Sequence, residues 1–348
     1  MLLGLVFLGV IFLLIGVNPI SLYLDIIEIN WKLLPNTIAK MIPLMCIGVG
    51  LAIPFKARVD NIGAEGQYIM GMLAGYGTAF LFPTLPMLLL IPFMFINGFI
   101  IGALWGLPVA LFRAKGGFQG ADVVVSFLLV FPALYIMEYL VSGPWRDRET
   151  GFTYSSIIPE NAMIPKFDFI IEIPFLGTKW YFESIHATIF LVLAIVALSY
   201  YYLFRTVEGV PETKLAYEIN VIGKNKEAGR SAGMSFFKVI LITMLISGGL
   251  AGIAGVGEIA GTQMRLMVKS PGYGFTAIAV AYLGGLNPIG IIFSAFLFAA
   301  LIVGGNAVKL TKGLPGTAID LFSGVILFFV LIAEFFFRYT IVWRTVDE

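Results

Sequence analysis

Long runs of apolar residues, each interrupted by a short polar stretch, fill almost the whole chain. A membrane-spanning helix needs about 20 mostly apolar residues. Runs of that kind fall at about 2–17, 36–55, 63–82, 86–112, 122–141, 184–204, 236–257, 272–286, 289–308 and 318–341. The pattern predicts an all-α membrane protein with about ten transmembrane helices. The run at 272–286 is short for a span and reads as a broken or re-entrant helix, so nine is the alternative count. The first run has no basic start and no small-residue cleavage pattern after it. It reads as an uncleaved span and not as a signal peptide.

The polar interruptions orient the spans, because Lys and Arg in short loops collect on the cytoplasmic side. If ten spans alternate, one side receives Lys56 with Arg58, Arg113 with Lys115, and the cluster Arg205, Lys214, Lys224, Lys226, Arg230 and Lys238. Arg338 and Arg344 fall there too, which makes both termini cytoplasmic. Two basic pairs run against the rule, Arg265 with Lys269 and Lys309 with Lys312, both placed outside. Residues 142–183 fall outside as well, with Pro144, Pro159, Pro165 and Pro174 set between Trp145, Phe152, Tyr154 and Trp180. Those aromatics need burial, so the segment reads as a compact external cap on a single transmembrane domain, 1–348. Residues 205–237 are the one sizeable cytoplasmic excursion, and their polar content reads as a docking surface.

Composition agrees with the pattern. Of 348 residues 59% are hydrophobic and 12% charged, against about 25% charged in soluble globular chains. A net charge of +1 gives nucleic acid nothing to bind. With one cysteine (Cys46) and one histidine (His186), no intrachain disulfide and no site of two His or Cys ligands is available. Cys46 reads as packing and His186 as an interfacial residue at the outer end of its span. No catalytic residue and no metal site is expected.

Glycines four apart form rows on single faces: Gly98, Gly102 and Gly106, Gly71 with Gly75, and Gly248 with Gly252. In lipid such rows let helices approach closely, so they read as packing seams. Glu65, Asp122, Glu138, Glu258, Asp320 and Glu334 all stand within about two turns of a span end. With mid-depth free of charge, the chain suits a neutral polar solute better than a proton-coupled pump. No glycine-rich loop followed by Lys and then Ser or Thr is present, so the chain does not bind ATP by that device. If transport is active and not ion-driven, the work must come from another subunit.

Residues 217–233 read as a helix, a Gly223-Lys224-Asn225 turn, and a second short helix stopped near Gly233. That is either a docking surface for a soluble partner or a solvated loop. The stretch Glu218…Gly223-Lys224-Asn225-Lys226-Glu227-Ala228-Gly229-Arg230-Ser231-Ala232-Gly233 resembles the coupling segment of ATP-binding-cassette importer permeases of the ribose and branched-chain amino-acid class. In that class it usually reads Glu, then Ala-Val-Gly-Glu-Asn-Pro-Glu-Ala-Ala-Arg, then Ala-Gly. Two more stretches look like the branch that imports nucleosides with a lipoprotein of the basic-membrane-protein type. They are Asn61-Ile62-Gly63-Ala64-Glu65-Gly66-Gln67, and Ser270-Pro271-Gly272-Tyr273-Gly274-Phe275-Thr276 onward with Gly284, Asn287, Pro288 and Gly290. Gly102-Ala103-Leu104-Trp105-Gly106 matches too. Departures are Lys226 for Pro, Gly229 for Ala, Asn220 where Arg is common, and about seven extra residues around 207–214.

The resemblance implies a ten-span fold in a prokaryotic plasma membrane, a second permease subunit, cytoplasmic ATPase subunits that hold ATP and Mg, and an extracytoplasmic solute-binding lipoprotein. It assigns ATPase coupling to Glu218, Gly223, Asn225, Glu227, Ala228, Arg230 and Gly233. Spans two to five and seven to ten run in opposite senses, the arrangement of an inverted repeat around a midplane site. Candidate lining residues are Glu65, Gln67, Ser126, Phe127, Phe275 and Thr276, each with helix packing as its ordinary alternative. Glu65 either lines the path, caps its own helix or ties two loops together. The expected function is a nucleoside path in an ATP-driven importer. The alternatives are a simple-sugar or amino-acid permease of the same fold, a stand-alone secondary transporter or channel, and a non-transporting scaffold.

Overall fold

Prolines and capping side chains set where the helices begin and break. The computed structural model describes residues 18–114, 120–149, 151–173, 178–207 and 209–312, with scattered positions in 6–13 and 324–332. The chain divides into one compact unit, Leu33–Ala299, and a second made from both ends, Met1–Lys32 with Ala300–Glu348. All candidate functional residues lie in the first.

The second unit contains a helix that the apolar pattern does not announce, α1 (Pro19–Lys32). Its start is explained by the Asn18 side chain, which accepts from the backbone N–H of Ile20 at 3.0 Å. At 14 residues it is about 21 Å long, short of a 30 Å hydrocarbon layer. The expected spans at 2–17 and 318–341, and both chain ends, lie outside the described residues apart from isolated positions.

In the first unit the helices follow the apolar runs closely. They are α2 (Leu34–Lys56), α3 (Ala64–Leu81), α4 (Met87–Ala114), α5 (Ala121–Leu128), α6 (Val130–Ser142), α7 (Thr188–Ser199), α8 (Lys214–Lys224), α9 (Lys226–Ser231), α10 (Phe236–Glu258), α11 (Tyr273–Leu283) and α12 (Pro288–Lys312), of which α12 belongs to this unit only as far as Ala299. Proline at the start of α2 is placed where its missing N–H costs nothing. The run at 122–141 is not one unbroken helix, because a break at Leu129 separates α5 from α6. Pro132 removes an N–H and its ring crowds the carbonyl four residues back. That carbonyl is Leu128's; the neighbouring Leu129 carbonyl accepts from the Trp105 indole at 3.1 Å. The run at 184–204 starts its helix only at Thr188 and ends in a π-helical turn, Tyr200–Phe204.

Two short hairpins qualify the all-α reading. β1 (Ile170–Ile173) pairs antiparallel with β2 (Thr178–Tyr181), with Ile171 opposite Trp180. β3 (Thr206–Val207) pairs with β4 (Val210–Pro211). Both lie in loops between helices and leave the helical core untouched.

Five helical stretches among the described residues are long and apolar enough to cross a membrane: Leu34–Lys56, Met87–Ala114, Ala121–Ser142, Phe236–Gln263 and Pro288–Ala307. α11 has 11 residues, about 17 Å, and agrees with the expected broken or re-entrant element. This is an all-α, multi-pass membrane fold. Helices α2, α3 and α4 pack against α10, α11 and α12 in the manner of an inverted repeat.

The seams are the glycine rows. A Cβ on Gly102 would collide with the Gly248 carbonyl, and one on Gly71 with the Gly252 carbonyl. Gly252 in turn faces the backbone of Gly98. α10 is thereby wedged between α3 and α4 at backbone contact, the close approach that substitutes for a hydrophobic drive in lipid. α2 is the most enclosed element, with 89% of its most apolar window buried, against 28% for α4.

Candidate functional site

The segment 217–233 folds as its residue pattern predicts, with one adjustment. α8 opens with Thr213 accepting from the Ala216 N–H at 3.3 Å and runs through Gly223 and Lys224. The turn is therefore made at Asn225 alone. Its side-chain oxygen accepts from the N–H groups of Glu227 at 3.0 Å and Ala228 at 3.1 Å. Asn225 thus starts α9, satisfying donors that a helix start leaves unpaired. Gly233 ends the unit at φ +77°, the left-handed region that glycine enters without strain.

The segment is anchored by its glycines. Gly223 is backed onto the Lys56 carbonyl at the end of α2, where no Cβ fits. Gly229, buried, faces Ile222 and the sulfur of Met234. Lys226, Glu227, Ala228 and Arg230 remain exposed. The Glu218 carboxylate faces Lys214 at 3.9 Å. The short helix is thus held by one small-residue face, with its charges outward.

Three of the six candidate lining residues are buried and satisfied inside the protein. Glu65 accepts from the N–H of Gly272 at 3.1 Å and of Gly274 at 2.6 Å, and pairs with the Ser270 hydroxyl. These donors stand at the start of α11, where a helix favours negative charge. Glu65 therefore ties α3 to the 270–274 loop, one of the alternatives open for it. Gln67 exchanges amide bonds with Asn61 at 2.8 and 3.1 Å, and Asn61 also donates to Ser247 at 2.9 Å. Ser126 accepts from the Ile62 N–H at 3.1 Å. Phe127, Phe275 and Thr276 keep exposed surface. The rings of Phe127 and Phe275 stand 6.4 Å apart, and Thr276 donates back to Gly272 at 3.1 Å.

A second polar cluster was not legible as a unit. Lys40 of α2 and Glu258 at the end of α10 form an ion pair at 3.2 Å, with Glu258 1% exposed and Gln263 also donating to it. Lys40 further lies over the Tyr273 ring, 5.4 Å from its centroid. The signal was a lysine inside an apolar run, but its partner stands 218 residues away. Beside them His186 is 1% exposed, contrary to the interfacial reading. It lies before the first turn of α7, with Nδ1 2.8 Å from the Thr188 hydroxyl and its ring against Gly261. Cys46 is buried and donates to the Leu250 carbonyl at 3.2 Å.

The described residues of 142–183 pack down against the stretch that follows α10. Ser155, Ile158 and Ile164 donate backbone bonds to Leu266, Met264 and Ala260. Trp145 stands 5.0 Å from the Tyr76 ring. Phe152 stays 66% exposed, so not every aromatic there is covered. A cavity of about 560 Å³ lined by Ser142, Gly143, Pro144, Arg146 and Arg148 opens at its start. Among the described residues, no group of three or more His, Cys, Asp or Glu side chains is placed to hold a metal ion.

Known proteins resemble this chain along most of its length. The family described as branched-chain amino acid transport system / permease component matches residues 33–331. A glucose ABC transporter permease protein of Haloferax volcanii is 32% identical over 343 residues, covering 96% of this chain and 86% of that protein. A guanosine ABC transporter permease protein of Bacillus subtilis is 30% identical, covering 85% of this chain and 80% of its own length. A nucleoside ABC transporter permease protein of Lactococcus lactis is 28% identical, covering 93% and 86%.

Proposed function

This chain belongs to the family of branched-chain amino acid transport system permease components, and on that premise we propose that it forms the membrane path of an ATP-binding-cassette importer for a small polar solute. The observation that carries the proposal is the segment 217–233. It is a capped helix pair seated through Gly223 on the end of α2, with Glu227 and Arg230 outward. A separate cytoplasmic ATPase holds ATP and Mg, and its closure pushes on α9. A binding lipoprotein delivers solute on the opposite side, near residues 142–183. A second permease subunit completes the path. The ten-span topology with both termini cytoplasmic belongs to this reading.

The solute is a neutral, hydroxyl-rich molecule. A simple sugar is the first reading, supported by the glucose permease that is 32% identical across 96% of this chain. A nucleoside is the second, supported by the guanosine and nucleoside permeases. An aromatic pair such as Phe127 and Phe275 offers stacking faces to either a sugar ring or a base. Glu65, Gln67 and Ser126 shape that path from behind by fixing the helix starts.

The test is ATP-dependent uptake by the complete importer in liposomes, with labelled glucose, ribose and guanosine offered in competition. Uptake of a sugar that guanosine does not inhibit supports the first reading, and the reverse supports the second. Glu227→Lys is expected to abolish ATPase association while the chain remains in the membrane. Uptake by this chain in liposomes without ATPase would overturn the importer reading.

A further inference from the structure

The proposed docking of an ATPase on 217–233 leaves open how a push on α9 reaches the spans. Gly229 of α9 packs on Ile222 of α8 and on Met234, within the segment itself. One of its exposed residues, however, reaches back. The Lys226 ammonium lies 4.0 Å from the centroid of the Phe236 ring, at the first turn of α10. The same ring is approached by a second cation, the guanidinium of Arg113 near the end of α4, at 6.0 Å. Arg113 pairs through Nε with the Asp122 carboxylate at 3.6 Å, and Asp122 is 3% exposed. That carboxylate also accepts from the backbone N–H of Asp60, at 2.9 Å, in the loop between α2 and α3. Asp60 in turn accepts from the Tyr282 hydroxyl of α11 at 3.4 Å, and Tyr282 stacks on Phe55 of α2.

Three stretches that are distant in sequence, the α2–α3 loop, the α4–α5 corner and the α9–α10 corner, therefore meet through one aromatic ring and one buried carboxylate. We propose that Lys226, Phe236, Arg113 and Asp122 are positioning residues that carry displacement of α9 to α4, α5 and the α2–α3 loop. The inference rests on the docking of an ATPase at 217–233 and adds the route by which that docking is felt. The physical basis is the ring face, whose negative quadrupole holds both cations at once. Moving Lys226 moves the balance at Phe236, and Arg113 follows because its charge is shared between the ring and Asp122. The Asp122 carboxylate cannot release Arg113 cheaply, since a buried charge without its partner is strongly disfavoured. Gly223 gives a parallel contact to α2, but a backbone contact of that kind holds the segment in place and has no second partner to pass motion on.

The experiment uses the complete importer in liposomes and reads solute accumulated per ATP hydrolysed. Lys226→Ala and Phe236→Leu are each expected to lower this ratio about two- to five-fold, the change that loss of one cation–π contact corresponds to. Lys226→Arg restores the ratio, because it keeps the cation on the ring. The double variant Lys226→Ala/Phe236→Leu falls no further than Phe236→Leu alone, since both changes remove the same contact. A role limited to folding would lower the amount of assembled importer and leave the ratio unchanged. An unchanged ratio in both single variants, or losses that add in the double variant, overturns the relay. Lys226 is exposed, so its variant remains informative even if Phe236→Leu fails to assemble. Glu227→Lys separates the two claims. If it abolishes ATPase association while the Lys226 and Phe236 variants keep a normal ratio, the relay alone is lost. If Glu227→Lys leaves association intact, docking at 217–233 is lost and the relay with it.

Discussion

Gly223 sits on the carbonyl oxygen of Lys56, so close that a Cβ at 223 would overlap it. The residue lies inside α8, where alanine in place of glycine ordinarily gains about 0.5–1 kcal/mol. Here the obstacle is backbone at the end of α2 and cannot rotate away as a side chain would. Gly223→Ala is therefore expected to lose roughly 1–3 kcal/mol through overpacking, shifting α8 off α2. Thermal unfolding in detergent should show a lower midpoint. ATPase stimulation in the assembled importer should fall with it. An unchanged midpoint would show that α8 has room to shift and that the contact is loose.

The Lys40–Glu258 pair gives a second prediction. Glu258 is 1% exposed on its side chain and Lys40 29%, so removing the lysine strands a carboxylate that water reaches poorly. Lys40→Met is expected to cost roughly 3 kcal/mol or more. Lys40→Met/Glu258→Gln should recover most of that loss, because the double change leaves no buried charge. Unfolding midpoints of the two variants and the parent decide the matter. A double variant as unstable as the single would mean that packing, not charge, is what matters there.

Glu65 accepts hydrogen bonds from Gly272, Gly274 and Ser270 with both oxygens. Glu65→Gln removes the charge and turns one acceptor into a donor facing an N–H group. The expected loss is about 1.5–3 kcal/mol, read as lower stability and less assembled importer. The concentration dependence of uptake should keep its midpoint if Glu65 only positions α3 and the 270–274 loop. A shifted midpoint with normal stability would instead make Glu65 a residue that touches solute.

His186 supplies a pH dependence. Burial pushes its imidazole down to about 4, with Lys166 and then Lys40 acting in the same direction. The unfolded chain takes up this proton near the ordinary value of about 6.5. Stability from the neutral ring is fully present above 6.5 and is lost as pH falls from 6.5 towards 4. Unfolding midpoints in detergent should decline across that window for the parent and stay flatter for His186→Gln. Equal slopes for both would assign the decline to other groups.

Much of the helical layout was legible because its signals are local. Apolar runs marked α2, α3, α4, α10 and α12 to within a few residues. Residue types marked a turn at 223–225, though not that Asn225 alone makes it, and glycines four apart marked the faces that meet. Leu129 shows where such reading weakens: the apolar run continues through it, and only Pro132 hints at the break. α1 was passed over because its start depends on one asparagine side chain and its length is below that of a span. His186 was misplaced because an aromatic polar residue at the end of an apolar run looks the same whether lipid headgroups or Gly261 lie against it.

The candidate site was legible as residues but not as partners. Asn61, Gln67 and Ser247 form one buried hydrogen-bonded group, yet Ser247 is 186 residues from Asn61. Glu65 meets Gly272 across 207 residues. No spacing rule reaches that far.

What the sequence by itself determined is that this is a helical membrane protein with glycine seams and a capped two-helix segment at 217–233. Hydropathy, helix period and cap chemistry act within a few residues and need no knowledge of the fold. Only the tertiary structure decided that α2 is enclosed while α4 keeps most of its surface outward. Hydropathy is blind to that difference, because lipid and protein interior are both apolar and accept the same side chains. It also decided that Lys226, Phe236, Arg113 and Asp122 share one locus. Pairings of that kind are set by how packed helices bring distant polar groups within a few ångströms.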